Sequence, residues 1–343
     1  EVMVRILICD LNNINNKDNL IKTNDRLSNL ADVCLLEALS YFNKIYKLDF
    51  LVLCLGKLGN RELNFSSDID LIFCVKGGDS SSSFNVSAKK MAQELIQLLD
   101  KNTYDGFVFR VDMRLRPFGN AGPLVSSEKQ FLNYLQKDAR PWERYVFMKA
   151  RVLCLKNDSA NNISNAISNF VYRPYMDFTA KETILEMRKR IDSKILKNNN
   201  IDIKTGSGGI RDIEFICQTL QLIHSGSRKL FRSELIFDLL ASFNKEKLLS
   251  DYQHLGLEKA YVFLRNAENH LQMINDQQVH MCPVNKKNQL QLAVSMGFDN
   301  WSDFLCDLIS HQKFVKICFD KIILPELDVV LDNNIDLIID GSI

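Results

Sequence analysis

Two short apolar runs stand out from a chain that is otherwise periodic. Phe50-Leu51-Val52-Leu53-Cys54-Leu55 is closed by Gly56, and Ile69-Asp70-Leu71-Ile72-Phe73-Cys74-Val75 is apolar except for Asp70. Continuous runs of this length predict strands buried on both faces. Before them, Leu27, Leu30, Ala31, Cys34, Leu35, Ala38, Leu39 and Phe42 recur at helical spacing and predict one amphipathic helix over 27–48, ended at Asp49. After a Gly/Ser-rich loop over 77–83, Ala88, Met91, Ala92, Leu95, Ile96 and Leu99 predict a second helix.

Past a turn at 102–106 the pattern switches to alternation. Phe107, Phe109, Val111, Met113 and Leu115 would face one side of a strand, and Arg110, Asp112, Arg114 and Arg116 the other. Beyond Trp142 the chain turns to long helical patterns over 184–196, 210–223, 235–249 and 260–274, the signature of a helical bundle. No repeat of fixed period is present. The expected organisation is α+β: a partial N-terminal segment 1–26, a small mixed-sheet domain 27–150, a helical domain 151–325 and an unassigned tail 326–343.

Composition narrows the function. The chain has 343 residues, 46% hydrophobic and 25% charged, as ordinary globular proteins do. A net charge of +1 gives no field that would draw nucleic acid or a membrane surface. The 9 cysteines never approach within fewer than 12 positions of one another, which excludes C-x-x-C zinc and redox pairs and fits a reducing cytoplasm. No apolar run approaches the roughly 18–20 residues of a membrane span. The chain opens on Glu1 rather than Met, which implies a preceding segment of the gene product.

The chemistry centres on acids. On a strand, residues i and i+2 share a face, so Asp68 and Asp70 present two carboxylates together. A D-x-D pair is often a helix cap or a solvated surface pair. Here it opens an apolar strand, where unpaired carboxylates are costly, and hard oxygen ligands suit Mg²⁺. Asp112 on a neighbouring strand would complete a two-metal site. Arg114 and Arg116 are candidates to clamp a phosphate, the alternative being that they only balance the aspartates, and Arg110 is left open. Lys57 is either a phosphate contact or a solvated turn lysine. Gly206-Ser207-Gly208-Gly209 precedes a helix whose N-terminal amides suit an anion, but it lacks P-loop spacing and is equally a tight turn. Arg211 and Glu214, one helical turn apart, read first as an intrahelical pair. The 5 histidines are too scattered for zinc, and His270 reads as a packed residue.

These acids lie in a longer pattern. The run from Gly56 to Phe73, the run Asp105-Gly106-Phe107-Val108-Phe109-Arg110-Val111-Asp112-Met113-Arg114-Leu115-Arg116-Pro117-Phe118-Gly119, and Trp142-Glu143-Arg144-Tyr145 resemble the glutamine synthetase adenylyltransferase/adenylyl-removing enzymes. So do Lys149-Ala150-Arg151, the stretch from Gly206 to Phe215, Glu268-Asn269-His270-Leu271-Gln272 and Asn275-Asp276-Gln277-Gln278. That family belongs to the DNA polymerase beta-like nucleotidyltransferases, and the resemblance covers about 27–320. Asn64-Phe65-Ser66-Ser67 and Trp142-Glu143-Arg144 resemble its N-terminal, adenylyl-removing half; the adenylylating half has no counterpart here.

The resemblance implies a polymerase beta-like core followed by a helical bundle, and two Mg²⁺ ions on Asp68, Asp70 and Asp112. It implies nucleotide and phosphate contacts at Gly56, Lys57, Gly59, Asn60, Ser67, Arg114 and Arg116, with Arg211 and Glu214 walling an adenylyl pocket. The implied reaction is phosphorolysis of adenylyl-tyrosine on glutamine synthetase, releasing ADP and regulating nitrogen metabolism. ATP-dependent adenylyl transfer and a catalytically silent regulatory module are the alternatives. Glutamine synthetase and a PII-type signal protein are the implied partners. One departure stands out: Asn60 occupies a position where the superfamily usually has Gly or Ser, and its side chain is expected to crowd the phosphates, so that Asn60→Gly would tighten ADP binding.

Overall fold

The computed structural model describes residues 2–11, 16–77, 82–104, 106–156, 160–173, 179–195, 201–233, 235–274 and 278–324. Asp105, Asn275-Asp276-Gln277, most of the Gly/Ser-rich loop, Leu196 and the tail over 326–343 lie outside the described residues. Helices α1 (Val2–Leu11) and α2 (Lys17–Tyr46) lead into strand β1 (Phe50–Leu55), a single helical turn α3 (Gly56–Gly59), β2 (Ile69–Val75) and α4 (Ser82–Asp100). Then come β3 (Val111–Asp112), β4 (Val125–Ser127), α5 (Glu128–Lys137), α6 (Glu143–Phe147), β5 (Arg151–Cys154) and α7 (Asn161–Val171). The rest is helical: α8 (Thr179–Ile195), α9 (Ile210–His224), α10 (Ile236–Lys245), α11 (Asp251–Met273), α12 (Lys286–Ser295) and α13 (Trp301–Ile323).

The sheet is small and mixed, in the order β3-β2-β1-β5, with β4 also on β2. β1 runs antiparallel to β2 and to β5, while β3 and β4 run parallel to β2. Because β1 and β2 are apolar on both faces, both faces are covered. Val52, Cys54, Leu71 and Phe73 pack with α2 and α4; Leu51, Leu53, Ile72 and Cys74 join a core continuous with α5, α7 and the helices from α8 to α13. Each buried aliphatic side chain contributes on the order of 1.5–3 kcal/mol, so sheet and helical half share one apolar core.

Three sequence-based boundaries shift. The first helix begins at Lys17, not at 27, because Asn16 caps it by accepting from the Asn19 amide and its opening turns are polar. β5 pairs with β1, so the sheet runs past residue 150. The strand expected over 107–116 is reduced to Val111–Asp112: Arg116 donates its backbone amide to Met113 O at 3.3 Å, and Gly119 to Arg116 O at 2.8 Å, which turns the chain away.

Candidate active site

Side-chain parity on β2 decides where the acids look. Asp68 and Asp70 fall in step with Ile72 and Cys74, which pack on the helical side, so both carboxylates open toward the helical half. Asp112 is the register partner of Asp70 on parallel β3. Gly56, at φ 54°, lets the end of β1 pass close over this group; a Cβ there would lie 2.3 Å from Asp70 Oδ2.

The outer two acids are held by arginines. Arg110 Nε donates to Asp68 Oδ1 at 2.8 Å and its Nη2 to Ser66 Oγ at 2.8 Å. Arg114 Nε donates to Asp112 Oδ2 at 2.8 Å, with its backbone amide on Oδ1. Among the described residues Asp70 has no such partner. Burial, then Asp112 and Asp68, push its carboxyl up to about 6, against the weaker pull of Lys204 and Arg114. Burial also acts to raise Asp112, but Arg114 outweighs it and holds that carboxyl below the usual range.

Among the described residues, no three His, Cys, Asp or Glu side chains are already gathered as a metal cage. The donor set nevertheless fits Mg²⁺: it is oxygen only, and it places a buried carboxyl against two others whose charges oppose its ionisation, a conflict a divalent cation relieves.

Asp68 and Asp70 line a cavity of about 330 Å³ together with Gly56, Lys57 and Ser67. Trp142, Tyr145, Met187 and Phe215 give it an apolar wall. Its basic side chains come from both halves of the chain, Lys57 and Lys149 from the sheet half and Lys204 and Arg211 from the helical half. Lys149 Nζ lies 2.9 Å from Glu214 Oε1, and Arg211 lies 3.5 Å from Oε2 of the same carboxylate. Lys57 donates to both oxygens of Glu268 at 2.8 Å, so it is neither solvated nor free; Lys204 reaches the same carboxylate at 3.4 Å and Arg265 at 3.1 Å. Burial would raise both glutamates, yet Lys149 with Arg211 holds Glu214 down to about 2, and Lys57 with Lys204 and Arg265 holds Glu268 far below its ordinary range.

The structure brings Gly56, Lys57, Ser67, Asp68, Asp70, Arg211 and Glu214 to one cleft. Asp112 adjoins Asp70 in register but is not among the residues lining the cleft, and others stand elsewhere. Arg114 is exposed and turned onto Asp112, while Arg116 bonds the carbonyl of Met113 at 2.8 Å and lines a separate groove with Lys89. Gly59 packs against backbone: a Cβ there would lie 1.7 Å from Lys149 O. Asn60 is buried, at φ −80°, in a small cavity behind the cleft that shares Lys149, Glu214 and Gln218 with it. It is not among the residues that line the cleft.

The Gly206–Gly209 segment is a tight turn whose neighbouring amides are used internally. Ile210 N and Arg211 N donate to Ile203 O and Lys204 O at 3.1 and 2.9 Å. Sequence reasoning assigned no role to Lys204, Lys149, Arg265 or Trp142. Glu268 carried a signal, being a charged residue on the apolar stripe of a helix.

Comparison with known proteins divides the chain in two. Residues 1–166 match the family model for glutamate-ammonia ligase adenylyltransferase, and residues 178–323 that for GlnD PII-uridylyltransferase. Three curated relatives are each named bifunctional glutamine synthetase adenylyltransferase/adenylyl-removing enzyme. That of Thioalkalivibrio sulfidiphilus is 41% identical over 277 residues, 79% of this chain and 29% of the relative. Those of Mannheimia haemolytica and Haemophilus ducreyi are 38% and 39% identical over 305 and 302 residues, 81% and 80% of this chain and 32% of each relative. The chain thus spans about a third of the length of the relatives it matches.

Proposed function

Because this chain belongs to the glutamate-ammonia ligase adenylyltransferase family, we propose that its cleft removes the adenylyl group from a tyrosine of glutamine synthetase by phosphorolysis. An oxygen of inorganic phosphate attacks the α-phosphorus, the bond to the phenolic oxygen breaks, the phenolate takes up a proton, and ADP and tyrosine leave. The observation that best supports this reading is one cleft lined by Asp68 and Asp70 of the sheet edge and by Lys57, Lys149, Lys204 and Arg211, with Asp112 beside Asp70 in register.

Asp68, Asp70 and Asp112 are the residues that would hold two Mg²⁺ ions, which when bound supply charge neutralisation at the phosphate oxygens. Trp142, Tyr145, Met187 and Phe215 offer the adenine base an apolar surface. Lys57, Lys149 and Lys204 supply the cleft with positive charge for the phosphates.

The resemblance of Asn64–Ser67 and Trp142–Arg144 to the adenylyl-removing half favours removal over transfer. The reading includes a cytoplasmic setting, supported by free thiols among the described residues and by the absence there of any helix long and apolar enough to cross a membrane. It also includes a PII-type signal protein as regulator, supported by the match of 178–323 to a family named for PII uridylylation.

The test is to incubate the chain with adenylylated glutamine synthetase and Mg²⁺. ADP should appear only when phosphate is present, and Asp70→Asn should abolish it. AMP released without phosphate would mean hydrolysis, and ATP consumed with fresh labelling of tyrosine would mean transfer. Silence in every assay from a folded, Mg²⁺-supplied chain would leave a regulatory module as the better reading.

A further inference from the structure

Phosphorolysis needs two anion positions: one for the α-phosphate that is attacked and one for the incoming phosphate, which becomes the β-phosphate of ADP. The acidic edge would serve the first through the Mg²⁺ ions it would hold. For the second, the structure narrows the cations sharply. Arg114 and Arg116 do not line the cleft. Lys57 and Lys149 do, but each is hydrogen-bonded at 2.8–2.9 Å to a buried glutamate. Arg211 forms an i,i+3 pair with Glu214.

Lys204 differs from Lys57 and Lys149 in lacking such a hydrogen bond, and from Arg211 in being anchored by a carboxylate of another segment, α11. It lines the cleft, its side chain keeps 18% of its exposure, and its ammonium stands 3.4 Å from Glu268 without a side-chain hydrogen bond among the described residues. Its position is nonetheless fixed. The backbone amides of Lys204 and Thr205 donate to Asp202 Oδ1 at 2.8 Å, and Gln312 of α13 holds the Asp202 carbonyl at 3.0 Å. The Lys204 carbonyl accepts from Arg211 N at 2.9 Å. Glu268, with 0% side-chain exposure, anchors Lys204 and Lys57 together. A lysine held by its backbone, leaning on a dry carboxylate and keeping its donors for the cavity, is a preorganised phosphate ligand.

We propose that Lys204 binds the attacking phosphate, and that Glu268 is the positioning residue that sets its ammonium against the cleft. This rests on the phosphorolytic reading above and adds to it the residue that selects the nucleophile.

Titration calorimetry of the full chain with Mg²⁺ and either ADP or AMP tests the assignment without turnover. Lys204→Ala should weaken ADP by about tenfold to a hundredfold, the loss of one charge-assisted hydrogen bond, and leave AMP within twofold. Lys204→Arg should restore most of the ADP affinity. In the glutamine synthetase assay, Lys204→Ala should raise the KM for phosphate by a similar factor with a much smaller change in kcat. Glu268→Gln should shift ADP affinity in the same direction as Lys204→Ala, and a thermal melt separates this from loss of fold.

Equal weakening of AMP and ADP, or ADP affinity unchanged in a folded Lys204→Ala chain, would overturn the proposal. If the wild-type chain releases no ADP from its substrate yet Lys204→Ala still loses ADP selectively, the phosphate site stands and phosphorolysis falls. If wild type binds neither nucleotide, both fall.

Discussion

Gly56 and Gly59 bracket the same helical turn but should fail in different ways when replaced by alanine. At Gly56 the backbone is left-handed, φ 54°, which costs an L residue roughly 1–2 kcal/mol. The new methyl would lie 2.3 Å from Asp70 Oδ2, but that oxygen ends a rotatable side chain, so the carboxylate swings aside at little further cost. Stability should fall by about 1–2 kcal/mol, a few degrees in Tm, while Mg²⁺-dependent ADP affinity should collapse because Asp70 no longer points where the other two acids do. At Gly59 the methyl would meet Lys149 O at 1.7 Å and Cys54 O at 2.8 Å, both backbone atoms that cannot rotate away. The loss there should reach or exceed the roughly 3 kcal/mol at the upper end of overpacking, with nucleotide affinity falling only as far as the fold does. Scanning calorimetry paired with ADP titration reads both quantities. A Gly56→Ala chain that binds ADP like wild type, or a Gly59→Ala chain as stable as wild type, would refute this division of roles.

Other outcomes follow from the buried groups. Glu268→Gln would leave Lys57, Lys204 and Arg265 without their shared counter-charge, and the urea midpoint should drop by an amount worth about 3–5 kcal/mol; an unchanged midpoint would show that the network is not needed for folding. Burial holds His270 neutral down to about 4, whereas the unfolded chain protonates near the ordinary value of 6.5. Its contribution is therefore complete above pH 7 and drains as pH falls from about 6.5 toward 4, so His270→Gln should flatten the pH dependence of Tm across that window. Trp142 lines the cleft, and the other tryptophan, Trp301, packs on Phe304. In a Trp301→Phe background, ADP with Mg²⁺ should change the emission of Trp142, and a flat titration with calorimetrically detected binding would remove it from the base site.

Legibility in the sequence tracked how local the cause was. β1 and β2 were readable to the residue because continuous apolar runs ended by Gly56 and Lys76 have few other solutions. The neighbourhood of Asp70 and Asp112 was legible because carboxylates at the mouth of apolar strands demand a reason. The strand over 107–116 misled because alternation is also met by a chain that pairs for two residues and then turns. The partnership of Lys57 with Glu268 spans 211 positions, and nothing near either residue announces the other. A lysine in a glycine turn reads as solvated until the helix that buries it is in place. Asn60 was expected in the cleft because of its neighbours in sequence, yet Arg61, at φ 56°, and the turn before it direct the chain inward.

The dry carboxylate of Glu268 carries a consequence for heredity. Lys57 and Glu268 belong to segments matched by two different family models, yet the buried ammonium of Lys57 has Glu268 as its counter-charge, and Glu268 in turn is balanced by Lys57 together with Lys204 and Arg265. A recombination event or engineered chimera that exchanges one segment alone would bring together an unmatched partner in the least forgiving part of the molecule. A chimera of that kind is expected to lose stability unless the incoming segment brings the matching charge with it.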